Sequence, residues 1–159
     1  MVDHLFIINS PNRRHKMYEY KAIVDRVVDG DTIDLDVDLG FDIWLRKQRI
    51  RLRGVDAPES RTRDRNEKKF GMLSKLYVME HCPVGSEVIL QTYLDGRGKF
   101  GRILGEIFLS DQELSLNELM INDKMAVYYH GQSKEDVNDE HLANRQFLIE
   151  TGTFKNITY

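Results

Sequence analysis

The chain has 159 residues, 41% of them apolar and 31% charged, with a formal net charge of −3. That length suits one domain with a real hydrophobic core, and the composition is close to that of an ordinary soluble globular chain. The single cysteine, Cys82, excludes an internal disulfide framework, no apolar run approaches a bilayer span, and the net charge lacks the bulk basic surplus of a non-specific nucleic-acid binder.

The distribution of charge is more telling than its total. Three short runs hold 13 of the 23 lysines and arginines: Arg46, Lys47, Arg49, Arg51 and Arg53; Arg61, Arg63, Arg65, Lys68 and Lys69; and Arg97, Lys99 and Arg102. Such runs are usually solvated faces. These three stand beside the candidate catalytic positions described below.

Met1–Lys16 reads as a loosely ordered lead-in, followed by one domain over 17–152 and a short tail over 153–159. Leu5–Ile8 is a four-residue apolar run preceded by Asp3, which is no export signal, so a cytoplasmic, reducing compartment is expected and the sequon at Asn156 carries no weight. Tyr18–Val28 is rich in aromatic and β-branched residues and reads as a strand. After the turn Asp29-Gly30-Asp31, Thr32–Leu39 alternates strictly, with Ile33, Leu35, Val37 and Leu39 on one face and Asp34, Asp36 and Asp38 on the other. Ile43–Gly54 completes a three-strand meander. Lys68–His81 has helical spacing through Phe70, Leu73, Leu76, Tyr77 and Met79, and Pro83 stops it. Glu87–Leu94 and Arg102–Leu109 read as strands around a glycine-rich turn. Leu114–Asp123 reads as a short helix with Leu116, Leu119 and Met120 inward, and Glu135–Glu150 as a polar amphipathic helix carrying Val137, Leu142, Phe147 and Leu148. Five strands and three helices in this order suit an α+β fold built on a five-stranded OB-fold barrel.

Asp34, Asp36 and Asp38 open like an EF-hand calcium loop. The sixth position, which needs glycine, is Leu39, and the twelfth, which needs a bidentate carboxylate, is Leu45, so the strand reading is preferred. Asp31 is different. Period two places it at the end of the inward row of Ile33, Leu35 and Val37, where a carboxylate is costly unless paired or metal-bound. Asp56 sits just where the third strand ends, so the two carboxylates can converge on one hard cation; equally, Asp29 and Asp31 can be plain turn formers. The five histidines are scattered without metal-binding spacing, and Cys82 reads as a core filler.

Three blocks in order, Val28-Asp29-Gly30-Asp31-Thr32, then Arg51-Leu52-Arg53-Gly54-Val55-Asp56-Ala57-Pro58-Glu59, then Lys99-Phe100-Gly101-Arg102, resemble the staphylococcal (micrococcal) nuclease, or thermonuclease, family. Asn117-Glu118-Leu119 followed by Ala126 resembles its next helix and turn, and the likeness runs from about Lys21 to Leu148. The resemblance implies a calcium-dependent endonuclease on an OB-fold, cleaving phosphodiester bonds of DNA, and of RNA as well, with little sequence preference. Residue by residue, it makes Asp31 and Asp56 metal ligands with the main-chain oxygen of Ala57, Glu59 the general base, Arg51 and Arg102 the phosphate-gripping pair, and Lys99 a substrate contact. Tyr129, with Tyr128, is a candidate for stacking on a base or for ordinary packing. An intracellular or phage-type member acting as a monomer on single-stranded nucleic acid, away from membranes, is expected.

Departures from the pattern are Ala57 where threonine is frequent, Phe100 for a tyrosine, Lys124 for a glycine, and a longer connection over Gly40–Gln48. The alternative is a catalytically silent OB module that binds nucleic acid or another ligand. A silent copy has no reason to retain Asp31, Arg51, Asp56, Glu59 and Arg102 together. A structural OB domain within a larger particle is a third reading, against which the clustered basic runs argue.

Overall fold

The computed structural model describes residues 18–97, 102–110 and 112–154, with the backbone alone for 93–97. Strands β1 (Tyr18–Asp29), β2 (Thr32–Asp38) and β3 (Trp44–Leu52) form the expected antiparallel meander. They are followed by β4 (Val55–Asp56), α1 (Arg65–His81), β5 (Glu87–Arg97), β6 (Ile103–Phe108), α2 (Leu116–Asn122), β7 (Val127–Tyr128) and α3 (Lys134–Glu150). β5 pairs antiparallel with both β1 and β6, while β3 runs parallel to β6, which closes a five-stranded barrel of the OB type. Closure leaves no free sheet edge among these five strands. The two-residue strands β4 and β7 pair with each other outside the barrel, a feature too short for periodicity to disclose.

The alternation read in β2 is the reason the barrel has a core. Ile33, Leu35 and Val37 point inward and are buried with Ala22, Val24, Ile50, Leu52, Val88, Leu90 and Ile107. The opposite face is not simply wet. Asp34 is buried beneath two arginines: its carboxylate accepts from Arg49 Nε (2.8 Å) and Nη2 (3.0 Å) and from Arg26 Nη2 (3.1 Å). Arg49 above all holds the Asp34 pKa below the usual carboxylate range. Asp36 bonds Arg46 and the Lys47 N–H, so these aspartates serve the sheet rather than a calcium loop.

Helix α1 begins at Arg65, three residues before the expected start. Asp64 caps it, accepting from the N–H groups of Asn66 (2.9 Å) and Glu67 (3.2 Å). Its inward face is Phe70, Gly71, Ser74 and Val78, while Leu76 and Met79, read from spacing as members of the apolar stripe, are exposed. Cys82 ends the helix fully buried, and burial pushes its thiol up to about 12, consistent with a filler. In α2, Ser115 and Glu118 form a reciprocal capping box, and Leu116 and Met120 point inward as expected. Asn117 is buried: its Nδ2 donates to the carbonyls of Arg53 (2.9 Å) and Gly105 (3.2 Å), while its Oδ1 accepts from the Ile107 N–H. One amide thereby ties α2 to β6 and to the chain leaving β3. In α3 the buried residues are His141 and Leu148; Leu142 and Phe147 are exposed. Phe154, two residues beyond the expected domain limit, stacks on Phe70 with ring centroids 4.5 Å apart.

Lys124, the departure from glycine, follows α2 with φ +61°, the left-handed conformation that closes helices. The N–H of Met125 bonds back to Met120 (2.8 Å), so the turn is held despite the side chain. A non-glycine residue there costs about 1–2 kcal/mol, and glycine brings an entropic penalty of about 0.5–1 kcal/mol. Lys124→Gly should therefore raise stability by about 0.5–1 kcal/mol, measured as a higher urea midpoint at unchanged slope.

Candidate active site

The turn between β1 and β2 carries Asp31, and the register of β2 with β3 decides what stands opposite. Thr32 pairs with Arg51, and the Leu52 N–H donates to the Asp31 carbonyl (2.9 Å), extending the ladder by one bond. Asp31 is fixed on both oxygens. Oδ1 accepts from the Thr32 hydroxyl (2.9 Å) and Oδ2 from the Ala57 N–H (3.1 Å). Gly30 permits this closeness: a Cβ there would lie 2.9 Å from the Cβ atoms of both Ala57 and Ser74.

Arg51 joins the parts. Its Nη1 donates to the carbonyl oxygens of Val55 (2.7 Å), Leu52 (3.1 Å) and Asp31 (3.5 Å). Its Nη2 stands between two carboxylates, 3.3 Å from Asp31 Oδ2 and 3.4 Å from Asp56 Oδ1. Period two could not choose among Arg49, Arg51 and Arg53; the structure gives Arg49 to Asp34 and Arg51 to the acidic pair. The parallel pairing of Ile50 with Ile103 and of Arg51 with Leu104 puts Arg102, half-buried at the start of β6, on the same wall. That wall bounds a groove of about 1020 Å³, lined also by Asp56, Tyr128 and Tyr129. Tyr129 is about half exposed and its N–H bonds the Gly54 carbonyl (2.8 Å), which fixes its backbone beside the groove. Asp31 and Glu59 are not part of the groove wall. Lys99 lies outside the described residues.

Glu59 is exposed, and its backbone is pressed against α1. A Cβ on Gly71 would come within 2.4 Å of the Glu59 carbonyl carbon and oxygen and 2.5 Å of the Ser60 nitrogen. Loss of solvation, then the charges of Asp29, Asp31, Glu67 and Asp56, raise the Glu59 pKa. Burial raises that of Asp31 as well, with Asp56 adding to it and Arg51, the Ala57 N–H and the Thr32 hydroxyl opposing.

His141 is the residue sequence reasoning missed. Its Nε2 is 2.8 Å from Asp56 Oδ2, across 85 residues of chain. Metal-binding spacing could not reveal it. Its helical spacing could, because it lies four residues after Val137 and seven before Leu148, on the inward face of α3.

The donor set fits a hard divalent cation. Two carboxylates converge on one cationic nitrogen, and burial, which raises the pKa of Asp31, disfavours its ionised form, a cost that a bound cation would offset. Among the described residues no group of three or more His, Cys, Asp or Glu that could hold a metal ion is present; the paired side chains beside Arg51 are Asp31 and Asp56.

Two outcomes are expected. On a bare helix Gly71→Ala would add about 1 kcal/mol of stability. Here the contact with the Glu59 backbone should reverse the sign, to a loss of about 1–3 kcal/mol by urea unfolding. Second, the raised pKa values of Asp31 and Glu59 mean that the folded state retains protons the unfolded chain has released. That stabilisation is complete below the unfolded carboxylate pKa and is lost as pH rises through the raised folded values. Asp31→Asn, which cannot ionise, should therefore be more stable than the parent at about pH 7 in EDTA, and the advantage should vanish near pH 4.

The staphylococcal nuclease homologue family matches residues 49–148 of this chain. Endonuclease YhcR of Bacillus subtilis (strain 168) is 31% identical over 116 residues, covering 70% of this chain and 9% of that protein. The thermonuclease of Staphylococcus intermedius is 33% identical over 104 residues, covering 65% of this chain and 54% of that protein. The matched region thus spans about half of one relative and a small part of the other. The family match includes Arg51, Asp56, Glu59, Arg102 and His141, and the chain belongs to the staphylococcal nuclease homologue family.

Proposed function

We propose that this protein is a calcium-dependent endonuclease that hydrolyses phosphodiester bonds of DNA, and of RNA, with little sequence preference. The observation that carries the reading is the convergence of Asp31 and Asp56 on a single Arg51 nitrogen, beside a groove lined by Arg51, Asp56 and Arg102. Asp31, Asp56 and the Ala57 carbonyl would hold the cation, which when bound supplies Lewis acidity and a template for the phosphate. Arg51 and Arg102 present guanidinium groups, charged at any working pH and matched in shape to phosphoryl oxygens, to the charge that develops during cleavage. Glu59 takes the proton of the attacking water. Its raised pKa makes it a stronger base. Tyr129 and Tyr128, both exposed on the groove, offer faces on which any unstacked base can rest, which favours single-stranded substrate. Lys99 adds a further phosphate contact.

Purified protein should cut single-stranded DNA to short fragments with calcium and leave it intact with excess EDTA. Glu59→Gln should lower turnover about 10²–10³-fold while still binding DNA. Cleavage in EDTA at the full rate removes the metal role, an unchanged Glu59→Gln rate removes the base, and binding without cleavage by the parent supports the silent module instead.

A further inference from the structure

The two carboxylates of the acidic pair are held in different ways. Asp31 is fixed by its own surroundings, with Thr32 on one oxygen and the Ala57 N–H on the other. Asp56 lies in a strand of two residues, and its side chain is 34% exposed. Among the described residues its Oδ1 has the long 3.4 Å contact with Arg51, and its close bond is the 2.8 Å one from His141 Nε2 to Oδ2. A carboxylate can turn about its last side-chain bond at little cost. Pinning Oδ2 is therefore what aims Oδ1 at Arg51 and Asp31.

His141 is itself well placed to act as a fixed post. It is buried on the inward face of α3, which is anchored beside the site by Asn144 Nδ2 donating to the Ala126 carbonyl (3.3 Å). Ala126 precedes β7, and β7 pairs with β4 through Val127 and Asp56. The last helix and the acidic pair are thus connected twice, by backbone pairing and by one imidazole. We propose that His141 is a positioning residue for the cation site, donating from Nε2 to Asp56 Oδ2 so that Oδ1 is preoriented as a ligand. This rests on the reading of Asp31 and Asp56 as cation ligands. Hydrogen-bond partners of ligating carboxylates and imidazoles characteristically govern metal affinity, by about 10–100-fold when removed.

The test is titration of the free protein with Tb³⁺, followed by luminescence and by competition with calcium, in three variants. His141→Phe keeps the ring and removes the donor. His141→Asn carries an amide that reaches only as far as Nδ1. His141→Gln carries one that reaches the place of Nε2. Affinity should fall about 10–100-fold in the first two and stay within about threefold of the parent in the third. Urea midpoints run alongside, because a merely structural loosening would lower stability without being repaired by glutamine. Parent-like affinity in a folded Phe or Asn variant overturns the proposal, as does a folded Gln variant as weak as Asn. No cation binding by the parent overturns the metal reading itself, and the inference with it.

Discussion

Everything at this site depends on one guanidinium. Asp31 and Asp56 come from chain segments 25 residues apart and meet beside a barrel wall, where two carboxylates repel each other and lose hydration. Arg51 makes the meeting tolerable. Its Nη2 divides itself between them while its Nη1 satisfies the carbonyl oxygens of Val55, Leu52 and Asp31. Those carbonyls belong to the β1–β2 turn and to the chain leaving β3, so the same side chain fixes the backbone that carries both acids. Lysine could not replace it, because an ammonium is a point charge without the planar fork that reaches carbonyls on one side and carboxylates on the other.

The compensation is incomplete. Burial still outweighs Arg51 at Asp31, and the whole acidic cluster bears on Glu59. A fold selected only for stability would not keep this arrangement, since ionised Asp31 and Glu59 work against folding near neutral pH. The same imbalance is an asset for a site that takes up a cation and asks a carboxylate to accept a proton. The barrel bears the cost through one buried core, which runs from Ala22 to Leu148 and takes in Leu52, Val55 and Ala57 beside the site.

What the sequence made legible follows from the length scale of each signal. The β1–β2–β3 meander was readable because Ile33, Leu35 and Val37 alternate against aspartates over a whole strand. β4 and β7 were not, because two residues carry no period. The start of α1 was hidden within a basic run, although Asp64 followed three residues later by Glu67 is a helix-start pattern. In α1 the inward face is made partly of Gly71 and Ser74, so apolar spacing pointed to Leu76 and Met79, which face water. Periodicity did not separate Arg51 from Arg49; the resemblance did, and in the fold Asp34 claims Arg49 and the acidic pair Arg51. Lys124 illustrates the reverse case, where a departure from a resemblance was visible in sequence and the left-handed backbone explains the glycine it departs from.

The match to the family begins at Arg49, yet the site does not. Asp31 lies upstream, and its carbonyl is the acceptor for both the Leu52 N–H and Arg51 Nη1. β1 also forms the seam where β5 closes the barrel. The first two strands are therefore as much a part of the site as the matched region, since removing them would open the barrel and leave Arg51 facing a single acid. At the other end His141 brings the last helix onto Asp56. A site assembled from residues 31 through 141 has no separable catalytic segment. Its geometry is a property of the closed barrel together with the helix that packs beside it, which is why contacts as distant in sequence as Asp31 with Ala57 and Asp56 with His141 can be short at the same time.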